Sequence, residues 1–141
     1  MQQYYDLTRF ISAQQRDHTV ALRELKDGRK RSHWIWYIFP QIRGLGFSGM
    51  SRKYAIQSLN EARAYFADPY LRGNYLELCN VLLALDTDRV QEVFDFPDDM
   101  KLRSSLTLFL YASDRDPVIQ AVLDKFFGGQ PDRNTLDILG L

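Results

Sequence analysis

The densest set of chemically useful side chains lies between Arg29 and Ser51, in the run RKRSHWIWYIFPQIRGLGFSGMS. A basic triplet, a histidine, both tryptophans and a glycine-rich turn follow one another there. Arginine forks bind phosphate or carboxylate, and the faces of tryptophan and tyrosine stack on flat ligands. The segment therefore predicts a site for a small anionic, nucleotide-like ligand, with these binding candidates: Lys30, Arg31, Trp36, Tyr37, Gln41, Gly44 and Gly46.

A solvated basic turn beside a buried aromatic core is the alternative interpretation of this segment. Trp34 and Ile38 are four residues apart, so they share a helical face and are expected in the core. Trp36 and Tyr37 point elsewhere on that helix and are the residues expected to line a pocket. The remaining cations around the aromatic run are Arg43, Arg52 and Lys53.

A second group of polar side chains opens the segment DDMKLRSS, residues 98–105. Asp98 or Asp99 is a candidate catalytic base, and His33 is the acid–base candidate from the first segment. The further binding candidates here are Lys101, Arg103 and Ser104. The alternative is structural, since the helix dipole stabilises acids in a first turn, and Asp99 has ion-pair spacing to Arg103. The composite site requires the two segments to meet in space.

The loop from Gly44 to Gly49 matches the spacing G-x-G-x-x-G. A dinucleotide site also needs a preceding strand and alternating strands and helices, and that alternation is missing here. Two interpretations are left. A plain glycine turn is favoured, because loop glycines usually serve backbone conformation. The other is that backbone N–H groups hold an anion at the start of a helix from Ser51.

No metal site or cofactor is predicted. His18 and His33 lack HxxxH or HxH spacing, and Cys79 is the single cysteine. His18 lies in the apolar stripe of a helix and is expected to be a hydrogen-bonded interior residue. A packing role is likewise the alternative for His33. Cys79 falls in a core stripe, where cysteine is usually inert.

The elements that must position these residues have a helical pattern. We expect an all-α fold, with residues 1–141 forming a single domain of about eight helices, several of them short. Two helices are expected near the start, one from Asp6 and one over about Asp17–Asp27. The run HWIWYIF favours a short helix over an aromatic-rich strand. Helix starts are marked by the capping-box spacing Ser58–Glu61 and by the pairs Asp68-Pro69 and Asp116-Pro117.

Composition excludes several classes of protein. The chain has 18 basic and 18 acidic residues and a formal net charge of zero, which disfavours a nucleic-acid binder that relies on bulk charge. An aromatic content of 13% argues against disorder. No stretch reaches the ~20 apolar residues of a membrane span, and the first residues lack a signal-peptide pattern. With one cysteine, the expected location is the cytoplasm, without membrane contact.

Several runs resemble a known family: GRKRSHWIWYIFPQIRGLGFS, SRKYAI, SLNEARAYFADPYL, FPDDMKLRSSLTLF and FFGGQPD. They are similar to a small bacterial family, domain of unknown function eighteen-ten, from about Asp6 to the C-terminus. The resemblance implies a compact, mainly helical domain and supplies no activity. Members often carry the label "calpastatin", which does not suit this chain, because such an inhibitor is disordered whereas this chain is patterned to fold. The matching positions are Lys30, Arg31, Ser32, His33, Trp34, Trp36, Phe39, Pro40, Gln41, Gly44, Gly46, Tyr54, Ala55, Asp98, Asp99, Lys101, Arg103 and Ser104.

The leading hypothesis is therefore binding of a small anionic, nucleotide-like ligand, with His33, Asp98 and Asp99 as acid–base groups if the ligand is also processed. A non-enzymatic protein–protein interaction module is the alternative, because aromatic residues beside arginines also form interface hot spots. A nucleic-acid-binding accessory is a weaker alternative that the neutral net charge disfavours. A concave cleft would favour the ligand, and a flat exposed patch would favour a protein partner.

Overall fold

The computed structural model describes residues 4–141, which form nine α-helices and no strand. The helices are α1 (Thr8–Lys26), α2 (Ile35–Ile38), α3 (Gly49–Tyr54), α4 (Leu59–Ala67), α5 (Pro69–Ala84), α6 (Val90–Val93), α7 (Asp98–Ala112), α8 (Pro117–Phe127) and α9 (Arg133–Leu139). The predicted all-α fold is confirmed, with one helix more than the eight expected. The aromatic run after Ser32 contains helix α2 rather than a strand. In the part of the chain that is described, no helix is both long and apolar enough to cross a membrane.

The predicted helix starts are present and make the expected hydrogen bonds. The Ser58 hydroxyl accepts a hydrogen bond from the backbone N–H of Glu61 at 3.1 Å. The Glu61 carboxylate accepts from the backbone N–H of Gln57 at 3.0 Å, one residue before the position that a standard capping box uses. Asp68 and Asp116 accept from the N–H groups that follow the prolines at the starts of α5 and α8. These caps satisfy donors that the helices themselves leave free.

The prediction of two helices before Asp27 is wrong, because the structure has the single helix α1 there. Neither glycine nor proline interrupts its 19 residues. Its buried residues continue along one face past Asp17, where the break was expected. Those buried residues are Phe10, Ala13, Gln14, Ala21, Glu24 and Leu25. A single helix buries this face without interruption, which stabilises it more than a break at Asp17 would.

Helix α7 lies at the centre of the core and packs against α2, α4, α8 and α9. The ring centroid of its Phe109 lies 4.9 Å from that of Tyr65 and 4.8 Å from that of Tyr75. Helix α5 packs against both α1 and α8 and carries Cys79 into this core. Burial raises the pKa of the Cys79 thiol, so the residue is an unreactive core side chain, as its position in the sequence suggests.

His18 joins α1 to α5. Its Nε2 atom lies 2.7 Å from Oε1 of Glu77, whereas its buried Nδ1 atom has no hydrogen-bond partner among the described residues. The side chain is 13% exposed. The expectation of a hydrogen-bonded interior histidine is therefore confirmed for one of the two ring nitrogens.

Glu24 holds the segment between α1 and α2 in place. Its buried carboxylate accepts hydrogen bonds from the backbone N–H groups of Arg31 and Ser32, from the Ser32 hydroxyl and from the Trp34 indole N–H. Burial by itself would raise the pKa of Glu24, but these four donors outweigh it and lower the pKa to about 2. Trp34 is 1% exposed, which confirms its predicted place in the core and fixes where α2 begins.

Candidate functional site

The two segments singled out in the sequence meet at Asp98. One of its carboxylate oxygens lies 2.7 Å from Nζ of Lys30, and the other lies 3.7 Å from Nζ of Lys101. The Lys101 ammonium group also lies 5.0 Å from the centre of the Trp36 ring, a cation–π contact. The ammonium groups of Lys30 and Lys101 thus share the Asp98 carboxylate. The contact between Lys101 and Trp36 joins the start of α7 to α2.

A cavity of about 240 Å³ lies beside Trp36, and we call it the Trp36 lobe. It is lined by Trp36, by residues 41–46, and by Ser51, Arg52, Tyr54, Ala55 and Gln57. A parallel bridge between Ile42 and Ile56 ties the two ends of this loop region together. In that bridge the Arg43 N–H donates to the Ile56 carbonyl, and the Ile56 N–H donates to the Gln41 carbonyl, each at 2.8 Å. The backbone that forms the walls is therefore held in one arrangement.

The Trp36 lobe has hydrogen-bond donors without acceptors. The Trp36 indole N–H is buried and has no hydrogen-bond partner in the described part of the chain. The guanidinium groups of Arg43 and Arg52 are exposed and form no hydrogen bond or ion pair with any of residues 4–141. No aspartate or glutamate is among the lining residues. An acid-free wall with two unpaired cations attracts anions.

A second cavity of about 190 Å³, the Met100 lobe, adjoins the first. It is lined by Gln41, Leu45, Gly46, Ser51, Pro97, Met100, Lys101, Ser104, Asp132 and Asn134. The first four of these residues also line the Trp36 lobe, so they form a wall common to both. Neither lobe alone reaches the roughly 300 Å³ at which small-molecule pockets usually begin, whereas the two together do. The two lobes are best treated as one groove.

Charges in the Met100 lobe are close to balanced. Lys101 lies near Asp98, and the lobe contains a carboxylate of its own, Asp132. Asp132 caps α9, where it accepts hydrogen bonds from the backbone N–H and the hydroxyl of Thr135. Asn134 is exposed, and its side chain makes no hydrogen bond with any of residues 4–141. This end of the groove therefore suits uncharged polar groups better than a second anion.

The glycine loop shapes the wall common to both lobes. A β-carbon at Gly46 would lie 2.6 Å from Oγ and 2.9 Å from Cβ of Ser51, so a side chain there would displace Ser51. Gly44 has φ +97°, a backbone conformation that other residues rarely adopt. These two glycines therefore serve backbone geometry and close approach, which supports the turn interpretation of the loop.

The loop lacks the surroundings of a dinucleotide fingerprint. No strand precedes it in the described chain, and helix α3 behind it has only six residues. That helix begins at Gly49 rather than at Ser51, because the Ser48 hydroxyl caps it by accepting from the Ser51 N–H at 3.1 Å. A side chain thus already occupies the place where an anion would contact the helix start.

The family model described as "Protein of unknown function (DUF1810)" matches residues 4–139. The chain belongs to this family. A crystal structure of the conserved hypothetical protein Rv1873 from Mycobacterium tuberculosis is similar along its whole length, with 41% identity and a TM-score of 0.94. The similarity covers 97% of this chain and 98% of that one. Comparison with curated proteins gives no match.

Six binding candidates from the family motifs line the groove. Trp36, Gln41, Gly44 and Gly46 line the Trp36 lobe, while Gln41, Gly46, Lys101 and Ser104 line the Met100 lobe. Lys30 lies behind them, with its side chain only 6% exposed in the ion pair with Asp98. The motif that contains both tryptophans and the motif at the start of α7 therefore build one groove between them.

Three other binding candidates lie away from the groove. Arg31 pairs with Asp27 at 2.7 Å, at the C-terminal end of α1. The Arg103 guanidinium donates to the carbonyl of Gln130 at 2.8 Å. Tyr37 is buried against Tyr54, and its hydroxyl donates to the Asp17 carboxylate, so its ring is a core residue. Each of the three has a structural partner of its own.

The acid–base candidates do not converge on the groove. Asp99 is buried and accepts hydrogen bonds from the Gln91 amide at 3.3 Å and from the Met100 N–H at 2.9 Å. Asp98 is held between two lysines, and neither aspartate lines a lobe. His33 is exposed, and no hydrogen bond or ion pair links its ring to either aspartate. Their catalytic role stays a prediction that no contact of the described residues supports.

Among the polar residues of the groove that the sequence does not predict as site residues are Arg43, Ser51, Arg52 and Asn134. Arg43 and Arg52 belong to the basic cluster around the aromatic run. Their nearness to the glycine loop is the signal that favours them over Arg31, which has Asp27 four residues before it. Ser51 and Asn134 have no signal of this kind, since single polar residues in loops and helix starts are common.

Proposed function

We propose that this protein binds a small anionic, nucleotide-like ligand in the groove formed by the Trp36 lobe and the Met100 lobe. One observation carries the proposal. Trp36, Arg43 and Arg52 line one cavity without a carboxylate, and neither the buried Trp36 indole N–H nor either guanidinium group has an acceptor in the described chain. Native structures leave few buried polar groups unsatisfied, and such groups concentrate where function requires them.

An anionic ligand would satisfy these donors. A buried donor without a partner costs about 1–3 kcal/mol, which an oxygen acceptor of the ligand would restore. Guanidinium groups bind phosphate or carboxylate through paired, charge-assisted hydrogen bonds. One face of the Trp36 ring is already in contact with Lys101, so the tryptophan contributes its N–H to the ligand rather than that face.

An amide NMR titration tests the proposal with five probes: inorganic phosphate, ATP, NAD, ADP-ribose and a short RNA. We expect shifts concentrated at Gln41–Gly46, Ser51, Arg52 and Lys101, with the amides of Arg31 and Arg103 unaffected. Silence across the panel, or shifts scattered over unrelated surfaces, would contradict ligand binding. Shifts for the RNA alone that vanish with added salt would instead support a nucleic-acid-binding accessory.

The variant Arg52→Gln supplies the matching loss-of-function test. Removing one unpaired guanidinium from the lobe is expected to weaken binding of inorganic phosphate about tenfold, the usual size for a lost charged hydrogen bond. Arg63→Gln is the control, since Arg63 is exposed on α4 and, within residues 4–141, its side chain bonds only to Asn60. Both variants remove one positive charge, so equal losses would indicate a general charge effect and contradict a local site.

A protein-interaction role is the second candidate, because apolar side chains are exposed beside the groove. Phe47 is 77% exposed, Phe96 is 71% exposed and Met100 is 53% exposed. The simplest partner to test is a second copy of the chain. Sedimentation velocity should show self-association of the parent chain that Phe47→Ser and Phe96→Ser abolish. A parent chain that stays monomeric at high concentration would contradict this candidate in its self-association form.

A further inference from the structure

We infer that the ligand is a phosphate monoester of an uncharged polar group, such as a nucleoside monophosphate. Its anionic end occupies the Trp36 lobe and its neutral end occupies the Met100 lobe. This inference rests on the proposed function and adds the class and the orientation of the ligand. It follows from differences between the two lobes in charge, in size and in the chemistry of their walls.

Charge assigns the anion to the Trp36 lobe. That lobe has two guanidinium groups without a partner in the described part of the chain, and no acid in its lining. In the Met100 lobe the single cation, Lys101, already lies 3.7 Å from the Asp98 carboxylate, and Asp132 adds a negative charge. A phosphate in the first lobe meets only positive charge, whereas one in the second lobe would also meet a carboxylate. A ligand with anions at both ends is therefore disfavoured.

Size requires a ligand with two parts. At about 240 Å³ and 190 Å³, each lobe has space for a phosphate or for part of a nucleoside, and neither has space for both. The parts must be joined across the common wall. Gly46 lies in that wall in close contact with Ser51, and a β-carbon there would displace Ser51 and change the shape of the wall. A short link such as a phosphoester bond suits this passage.

The chemistry of the Met100 lobe fits a neutral group with one apolar face and several polar edges. Met100 and Pro97 provide apolar surface, and the thioether of methionine packs well against aromatic rings. Asn134 and Gln41 have amide side chains that form no hydrogen bond with residues 4–141. An amide offers both a donor and an acceptor, which matches a hydroxyl or the edge of a base.

Isothermal titration calorimetry tests the assignment with three probes: inorganic phosphate, adenosine and adenosine monophosphate. We expect the monophosphate to bind at least tenfold more tightly than phosphate, and adenosine to bind most weakly. Arg52→Gln should weaken binding of inorganic phosphate and of adenosine monophosphate by the same factor, about tenfold. Asn134→Ala should weaken binding of adenosine monophosphate about threefold to tenfold and leave binding of inorganic phosphate unchanged.

The outcomes separate this inference from the proposed function. If phosphate and the monophosphate bind equally well, or if Asn134→Ala affects both alike, the orientation is overturned and the anion site stands. If Lys101→Gln weakens phosphate while Arg52→Gln does not, the anion lies in the Met100 lobe and the inference is again overturned. If none of the three probes binds, both the inference and the proposed function fall. A thermal melt of each variant shows that it folds, and Arg43→Gln replaces Arg52→Gln if needed.

Discussion

The two tryptophans lie two residues apart and have opposite environments. The Trp34 indole N–H donates to Glu24, which also binds Ser32 and the Arg31 backbone, so every donor in that cluster has an acceptor. Among residues 4–141 the Trp36 indole N–H has no acceptor, and the guanidinium groups of Arg43 and Arg52, which line the same cavity, have none either. A satisfied network around a buried carboxylate stabilises a fold, whereas unsatisfied donors around a cavity are free to bind a ligand. The first region explains the structure, and the second is where we place the function.

The largest effect is expected from Glu24→Ala. The change leaves the Trp34 indole N–H, the Ser32 hydroxyl and two backbone N–H groups without their acceptor in a buried place. We expect the free energy of unfolding to fall by about 3 kcal/mol, the range for a broken buried network. Urea denaturation followed by circular dichroism measures it. A loss below about 0.5 kcal/mol would show that the cluster does not stabilise the fold.

The same carboxylate predicts how stability depends on pH. The pKa of Glu24 is about 2 in the folded protein, below the 4.5 of an ordinary glutamate, so folding favours its charged form. The stability that it contributes is therefore fully present above about pH 4.5 and is lost as the pH falls towards 2. Unfolding of the parent chain and of Glu24→Gln, measured from pH 7 to pH 2, should converge at the acid end. A difference between them that is constant over this range would contradict the assignment.

A matched pair of variants sharpens the contrast between the tryptophans. Trp34→Phe removes a donor from Glu24 and trims a core ring, so it should destabilise the protein by about 1–3 kcal/mol. Trp36→Phe removes a buried donor that has no acceptor in the described chain and also trims the ring, and these two effects oppose each other, so stability should stay within about 0.5 kcal/mol while phosphate binding weakens severalfold. Unfolding and titration of both variants give the comparison. Equal stability losses with no change in binding would remove the distinction between the two regions.

The smallest effect is expected from Gly46→Ala. Its β-carbon would crowd Ser51 at 2.6 Å in the wall common to both lobes, and Ser51 must move. We expect adenosine monophosphate to bind about threefold more weakly, with little change for phosphate, because only the longer ligand crosses this wall. Gly49→Ala is the control, since a β-carbon there would have no atom of residues 4–141 within 4 Å apart from its chain neighbours and its own helix backbone. An equal effect of the two variants would argue against a passage over Gly46.

Much of the fold could be predicted because its signals are local. The caps at Ser58, Asp68 and Asp116 each depend on hydrogen bonds within three residues along the chain. The continuity of α1 could not be predicted in the same way. The break was expected at Asp17, whose carboxylate instead accepts a hydrogen bond from Tyr37, a partner 20 residues away. Contacts that are distant in sequence decide such cases.

The sequence could predict the groove residues that are neighbours along the chain, but not the residues that distant segments bring to the groove. Trp36, Gln41, Gly44 and Gly46 are close in sequence, and the structure places them together. The charge of Arg31 predicts a binding role, but the sequence could not show that Arg31 forms an ion pair with Asp27. Asn134 reaches the groove from α9, 33 residues beyond Lys101, and no local pattern could assign it.

The central claim is that the Trp36 lobe is an anion site, and the two indole N–H signals in a ¹H–¹⁵N NMR spectrum test it most directly. The chain has two tryptophans, so the spectrum contains one indole signal from a satisfied donor and one from an unsatisfied donor. During a titration with inorganic phosphate, the Trp36 signal should move with saturation while the Trp34 signal stays in place. A Trp36 signal that does not move, or equal movement of both signals, would contradict the account.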